Sequence, residues 1–155
     1  MTRIEIHTTI HASAVICFDL ARSVDAHLTS LQHTNERVIA GRKSGLCEIY
    51  DVITWEAKHF GITQHLTVKI TKIESPHFFE DIMIKGAFKS MQHQHYFEEK
   101  NGATIMKDVF AYETPGWILG RLFDMLILKT YMTKLIAARN LSLKTLAEEQ
   151  ARNSL

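Results

Sequence analysis

The stretch HQHYFEEKNGATIMKDVFAY, residues 93–112, decides how the chain folds. Its Asn101-Gly102 pair is the strongest short signal for a two-residue type I′ hairpin turn, because both central positions of that turn need a positive φ. A direct turn places His95 opposite Asp108, with Cβ atoms about 4.5–5.5 Å apart, so that an imidazole and a carboxylate meet. A longer loop with a bulge would shift this register.

Strand-like segments continue on both sides of this hairpin. Alternating apolar and polar residues predict a first strand in RIEIHTTI and six more strands from residue 36 to residue 112. The six segments are ERVIAG, CEIYDVITWEAK, ITQHLTVKITKI, HFFEDIMIKG, FKSMQHQHYFEE and ATIMKDVFAY. The connections between them are short enough to join antiparallel neighbours.

Helical patterns interrupt this series and end it. Ser13 and Ser23 are candidate N-caps of two short helices after the first strand. After Pro115-Gly116, one long helical pattern runs to about Glu149. The sequence therefore predicts an α+β fold, in which a seven-stranded antiparallel sheet buries one face under a long C-terminal helix.

Length and composition narrow the possible functions. The 155 residues fit a single domain, 1–155, and a net charge of +1 with scattered charges argues against a nucleic-acid partner. The start of the chain lacks a signal-peptide pattern and no apolar run is long enough to span a bilayer, so we expect a cytoplasmic protein. Cys17 and Cys47 have neither zinc-site nor redox spacing, and are expected to be free, buried thiols.

The period of the strands assigns most side chains to one face of the sheet. In the sixth strand, His93 and His95 alternate with glutamines and face the helix. Trp55 of the third strand is predicted to be interior, and His65 of the fourth to be exterior. The side of Asp81 stays open, because a direct turn and a bulge in the next hairpin send its side chain to opposite faces.

The order of elements and four stretches of sequence resemble the SRPBCC superfamily, also called START-like or Bet v 1-like proteins. The stretches are TWEAKHFG, FFEDIMIKGAFKSMQHQHYF, GATIMKDVFAYETPGWILGRL and AARNLSLKTLAE. The resemblance covers about residues 3–147 and extends to bacterial polyketide cyclase-dehydrase-like members. It implies a helix-grip fold, in which a curved sheet wraps around the C-terminal helix and two short helices close one end.

The same resemblance implies an elongated cavity between sheet and helix. Members of the superfamily bind lipids, polyketides, aromatic compounds and other apolar molecules, and some catalyse ring closure or dehydration. They share no common set of catalytic residues, so no catalytic role carries over to this chain.

Inward-facing aromatic and methionine side chains are candidates to line such a cavity, although they could equally fill a core. With the polar residues of the sixth and seventh strands, the candidate ligand-binding set is Trp55, Met83, Met91, His93, His95, Met106, Asp108, Phe110, Tyr112, Trp117, Phe123 and Leu126. His59 and Phe60 lie at a hairpin where a mouth could open. Arg139 is expected to be a surface or helix-capping charge.

His95 and Asp108 have two interpretations. A carboxylate that fixes the imidazole tautomer makes them candidate catalytic residues, a general acid–base pair. Alternatively, the two groups satisfy each other and fix the register of the hairpin. His93 and His95 also form an HxH spacing that can present two imidazoles to a metal. Spacing alone supplies no complete ligand set, so we expect neither a metal nor another cofactor.

Three functions remain open from the sequence. The first is a protein that binds a small, mainly apolar molecule oriented by His95, Asp108 and His93. The second is a cyclase, dehydratase or hydrolase that uses His95 as proton carrier. The third is a non-catalytic interaction module or homodimer.

Overall fold

The computed structural model describes residues 1–155. The seven strands are β1 (Thr2–Ile10), β2 (Arg37–Ala40), β3 (Val52–His59), β4 (Ile62–Glu74), β5 (Phe78–Lys85), β6 (Ser90–Lys100) and β7 (Ala103–Glu113). They form one antiparallel sheet in the order β1-β7-β6-β5-β4-β3-β2. The helices are α1 (Ala14–Ala21), α2 (Val24–Ser30), a 3-10 turn (Gln32–Thr34), α3 (Trp117–Phe123), a π-helical turn (Asp124–Leu128) and α4 (Lys129–Asn153). This is the predicted α+β helix-grip arrangement.

The β6–β7 hairpin has the predicted direct turn. Asn101 and Gly102 both have positive φ, 52° and 76°, as a type I′ turn requires. His95 therefore lies opposite Asp108, and the pairing continues without a bulge from Ser90 to Lys100. The predicted register is confirmed, and both histidines of the HxH stretch face the helix side.

The two short helices begin where the sequence predicted. The side chain of Ser13 accepts a hydrogen bond from the backbone N–H of Ile16, and that of Ser23 accepts one from Ala26. Both caps satisfy backbone donors that the first turn of a helix leaves free. The two helices lie against α4 and cover one end of the sheet.

Two element bounds differ from the prediction. Strand β3 begins at Val52 and not at Cys47, because the chain turns at Tyr50, whose φ is +69°. The last helix continues past Glu149 to Asn153.

The apolar core has two parts. One is tightly filled and packs α1 and the end of α4 against β6 and β7 through Phe18, Phe79, Phe97, Met106, Leu143 and their neighbours. The other contains Trp55, Met91, Phe110, Ile136 and further residues nearer the middle of the sheet. The second part surrounds the cavity described below.

Helix α3 contacts the rest of the chain along a narrow stripe. A Cβ at Gly120 would lie 1.9 Å from the carbonyl oxygen of Pro115, so only glycine allows this close return of the chain. The remaining faces of the helix are open, with Trp117 81% exposed and Leu126, just beyond α3, 64% exposed. No helix combines the length and the apolar character needed to cross a membrane.

We predict that Gly102→Ala lowers the free energy of unfolding by about 1–2 kcal/mol, because the residue must keep a left-handed conformation. No neighbouring atom lies within 4 Å of the added Cβ, so the cost is conformational and not steric. The measurement is a urea unfolding curve, with a lower midpoint and an unchanged slope. Asn101→Gly is the matched control, since glycine accepts the φ of 52°, and equal losses in both variants would contradict the assignment.

Candidate functional site

A cavity of about 670 Å³ lies between the sheet and the helices. It is lined by 38 residues, of which 24 are hydrophobic, so its wall is mainly apolar. Strands β3 to β7 supply one side of it, and α2, α3 and α4 supply the other. The volume falls within the usual range for small-molecule sites.

The structure places six of the twelve candidate ligand-binding residues on the cavity wall. These are Trp55, Met91, His93, His95, Phe110 and Phe123. The other six, Met83, Met106, Asp108, Tyr112, Trp117 and Leu126, do not line it.

The residues off the wall have different surroundings. Met106 is fully buried in the filled part of the core. Tyr112 is fully buried, and its hydroxyl donates a hydrogen bond to Asp124 in the π-helical turn. Trp117 and Leu126 face outward, because the stripe of this segment that reaches the cavity consists of Gly120, Phe123 and Ile127. Helical periodicity alone did not show which stripe that is.

Asp108 is the centre of a buried polar cluster on β6, β7 and α4. Its carboxylate, 1% exposed, lies 3.0 Å from His93 Nε2 and accepts a 2.7 Å hydrogen bond from Asn140 Nδ2. His95 Nδ1 lies 2.8 Å from Asp108 Oδ1, but its N–H direction departs from that of a good hydrogen bond. The contact is therefore an electrostatic one at close range. Arg139 Nη1 completes the surroundings at 3.6 Å.

Asp81, whose facing the sequence left open, points inward. The connection between β5 and β6, residues 86–89, is longer than a two-residue turn, and it places Asp81 opposite His93. Asp81 Oδ1 is 3.3 Å from His95 Nε2, and the Asp81 side chain lines the cavity. His95 thus lies between two carboxylates, that of Asp108 behind it and that of Asp81 beside the cavity.

These contacts change the proton affinity of each group. Burial and the neighbouring His95 lower the pKa of His93 to about 4, so this imidazole is neutral near pH 7. Burial opposes protonation of His95, but its contacts with Asp108 and Asp81 outweigh burial and raise its pKa. Burial alone would raise the pKa of Asp108, yet the hydrogen bond with His93 and the close contact with His95 hold it well below its usual value.

Arg139 is not the predicted surface charge. It is only 6% exposed, lines the cavity, and donates from Nη2 to the carbonyl oxygen of Ala21 at 3.1 Å. The signal was present in the sequence, because Ile136, Asn140 and Leu143 lie on the same helical stripe as Arg139. A charge within that stripe is buried together with its apolar neighbours.

A second group of polar and aromatic residues lies where the β3–β4 hairpin meets the helices. His59 Nδ1 is 2.7 Å from the hydroxyl of Tyr131, and the Phe60 ring packs against Tyr131 and Phe123 with centroids 4.4 and 5.9 Å apart. All four residues line the cavity. The hairpin that the sequence suggested as a mouth is therefore part of the cavity wall.

Sequence reasoning did not identify His27 as a wall residue. Its ring lies 4.3 Å from that of Trp55, and its Nε2 is 3.0 Å from Glu36 Oε1. The residue comes from α2, so its approach to β3 depends on tertiary packing and has no local signature in the sequence.

Several solved structures share this fold over nearly their whole length. They include the protein TTHA0849 from Thermus thermophilus, with 16% identity, a TM-score of 0.78 and coverage of 97% of this chain and 99% of that one. Ginseng major latex-like protein 151 from Panax ginseng has 11% identity and a TM-score of 0.69, covering 94% and 97%. A START superfamily protein from Mycobacterium smegmatis has 10% identity and a TM-score of 0.65, covering 99% of each chain.

No protein-family model matches the sequence, and no curated protein matches it. The likeness to the solved structures confirms the resemblance to START-like and Bet v 1-like proteins at the level of the fold. At such low identity it leaves the chemistry of the site to be argued from this chain's own residues.

We predict that the free energy of unfolding falls by about 3 kcal/mol between pH 6.5 and pH 4 on account of His93 alone. The folded pKa of about 4 lies below the unfolded value of 6.5, so in this window the unfolded chain binds the extra proton. His93→Gln should remove this part of the pH dependence. Denaturant unfolding at several pH values measures it, with His65→Gln, a change on the outer face, as control. Equal acid slopes in both variants would contradict a neutral, buried His93.

Proposed function

We propose that this protein binds a small, mainly apolar molecule in the cavity between the sheet and α4. The observation that supports this most directly is a cavity of about 670 Å³ whose wall is largely apolar. Natural cores are packed to crystal-like density, so a void of this size is costly unless it has a use. The fold shared with a START superfamily protein is consistent with this function.

The polar groups on the wall indicate what the ligand carries. Asp81, His93 and His95 lie together on the β5–β6 side, while the surrounding wall contains Met91 and Phe110. A ligand with an apolar body and one hydrogen-bonding group would cover the apolar wall of the cavity and place its polar group at this cluster. A lipid, polyketide or aromatic compound with a hydroxyl or carbonyl group fits that description.

We predict that Ala57→Trp reduces binding of a neutral fluorescent probe, N-phenyl-1-naphthylamine, by at least about tenfold. Ala57 is buried on β3 and lines the cavity, so an indole there occupies volume the probe needs. The measurement is a fluorescence titration of the probe. Ile84→Trp is the matched control, because Ile84 is exposed and off the cavity wall. A probe that binds both variants equally would place binding outside the cavity.

A second candidate function is proton transfer to or from the bound molecule. One observation favours it: His95, oriented by Asp108, contacts Asp81 at the cavity wall, so a proton held by the pair is adjacent to a ligand. This is the enzymatic alternative, with His95 as proton carrier, Asp108 as its orienting carboxylate and Asp81 beside the cavity.

We predict that 4-nitrophenol binds to the cavity with a larger phenolate fraction than it has free at the same pH, because protonated His95 favours an anion beside it. Its visible absorption reports the ionised fraction directly. His95→Gln should abolish the excess, whereas His7→Gln, a change at an exposed residue off the cavity wall, should retain it. A bound spectrum identical in all three proteins would argue against proton exchange with the ligand.

A further inference from the structure

We propose that Asp81, His93 and His95 form a divalent transition-metal site, of the zinc type, open to the cavity. One ligand atom from each of the three residues lies within 4.8 Å of the other two. Two imidazoles and one carboxylate are the donors of known three-ligand zinc sites, in which the fourth position takes water or substrate. The metal would use the same polar groups that we propose for orienting the apolar ligand, but each can bind without the other, and either proposal can fail alone.

The spacing of His95 and Asp81 carries the argument. His95 Nε2 and Asp81 Oδ1 are 3.3 Å apart, whereas a charge-assisted N–H···O hydrogen bond is about 2.7–2.9 Å long. Two adjacent donors on a tetrahedral zinc ion, each about 2.0–2.1 Å from the metal, are separated by about 3.3 Å. The observed distance fits two ligands sharing one cation and also a long hydrogen bond, so a metal titration distinguishes a metal ion from a proton at this position.

Coordination requires His95 Nε2 to carry no proton. That nitrogen lies within hydrogen-bond distance of Asp81, whereas Nδ1 makes a close electrostatic contact with Asp108 Oδ1 at 2.8 Å, so a metal ion would take the place of the proton between Nε2 and Asp81. A lone pair and a carboxylate repel each other unless a cation lies between them, either a proton or a metal ion. His93 donates from Nε2 to the same Asp108 oxygen, which leaves its Nδ1 free to coordinate.

Asp108 thus has the position of an outer-shell carboxylate that orients two ligating histidines. It is itself held by Asn140 at 2.7 Å and has Arg139 at 3.6 Å as its counter-ion. Asp81 is the carboxylate that remains to offset the charge of the metal. Because all three ligand residues line the cavity, a metal-bound water or ligand atom would face the apolar chamber.

From the sequence we expected no metal, because the HxH spacing supplied two donors and the inward side of Asp81 could not be derived. The β5–β6 pairing places Asp81 opposite His93, and Asp81 Oδ1 lies 3.3 Å from His95 Nε2, which brings a third donor to the two imidazoles.

The test is a Co²⁺ titration of the full chain after removal of metals with a chelator, followed by visible absorption. We expect one Co²⁺ per chain with the intense spectrum of four-coordinate cobalt, displaced by Zn²⁺ in stoichiometric amount. Asp81→Asn and His93→Gln should abolish it, and Asp108→Asn should weaken affinity by about 10–100-fold while keeping the spectrum. His7→Gln is the control, because His7 is exposed, pairs with Glu5 away from the cavity and would report an adventitious surface site.

Two outcomes would overturn the proposal: no four-coordinate spectrum in the unaltered chain, or a spectrum that survives in Asp81→Asn and His93→Gln. Naphthylamine probe binding checks that each variant keeps its cavity, so loss of fold is not mistaken for loss of a ligand. A measurement without variants is the nitrogen NMR spectrum of the nine imidazoles. Zn²⁺ must shift two of them, and shifts spread over all nine would equally refute the site.

Discussion

The carboxylate of Asp108 joins the sheet to the C-terminal helix, and the arrangement of the site depends on it. Asn140 of α4 donates to it across the core, while His93 and His95 approach it from the neighbouring strand. A buried carboxylate is tolerated only when its oxygens are satisfied, and removal of one partner is strongly destabilising. The set of partners therefore fixes how far α4 lies from β7 and in what rotation. An apolar contact in its place would allow the helix to slide.

The cavity exists because this polar contact lies at the boundary between the two parts of the core. On one side, the ring of His95 stacks on Phe79 with centroids 4.1 Å apart, and Phe18 and Phe97 fill the remaining space. On the other side, His93 packs edge-on to Phe110, and the wall opens into the chamber. The two imidazoles therefore contribute both to the filled part of the core and to the polar region of the cavity wall.

Short sequence patterns predicted the features that depend on adjacent residues. The turn at Asn101-Gly102, its register and the two serine caps each follow from a few consecutive residues, and all are confirmed. The inward position of Asp81 depends on its pairing with His93, twelve residues further along the chain, and the burial of Arg139 depends on α1, which comes from the other end of the chain. No short sequence pattern encodes contacts between residues so far apart. The polar cluster around Asp108 was therefore predicted only for its residues on the β6–β7 hairpin.

Trp117 and Phe123 face different sides of α3, because the six positions that separate them turn the helix through about 600°. The π-helical turn at Asp124–Leu128 inserts a residue into the helix and changes the phase of the stripes on either side of it. Asp124 can then accept hydrogen bonds from Tyr112 and Thr2 at the sheet, while Phe123 and Ile127 face the cavity. One short segment both fastens the helix to the sheet and forms part of the wall. At this edge of the chamber the polar contact at Asp124 is buried, whereas the aromatic contact of Phe60 and Phe123 is half-exposed.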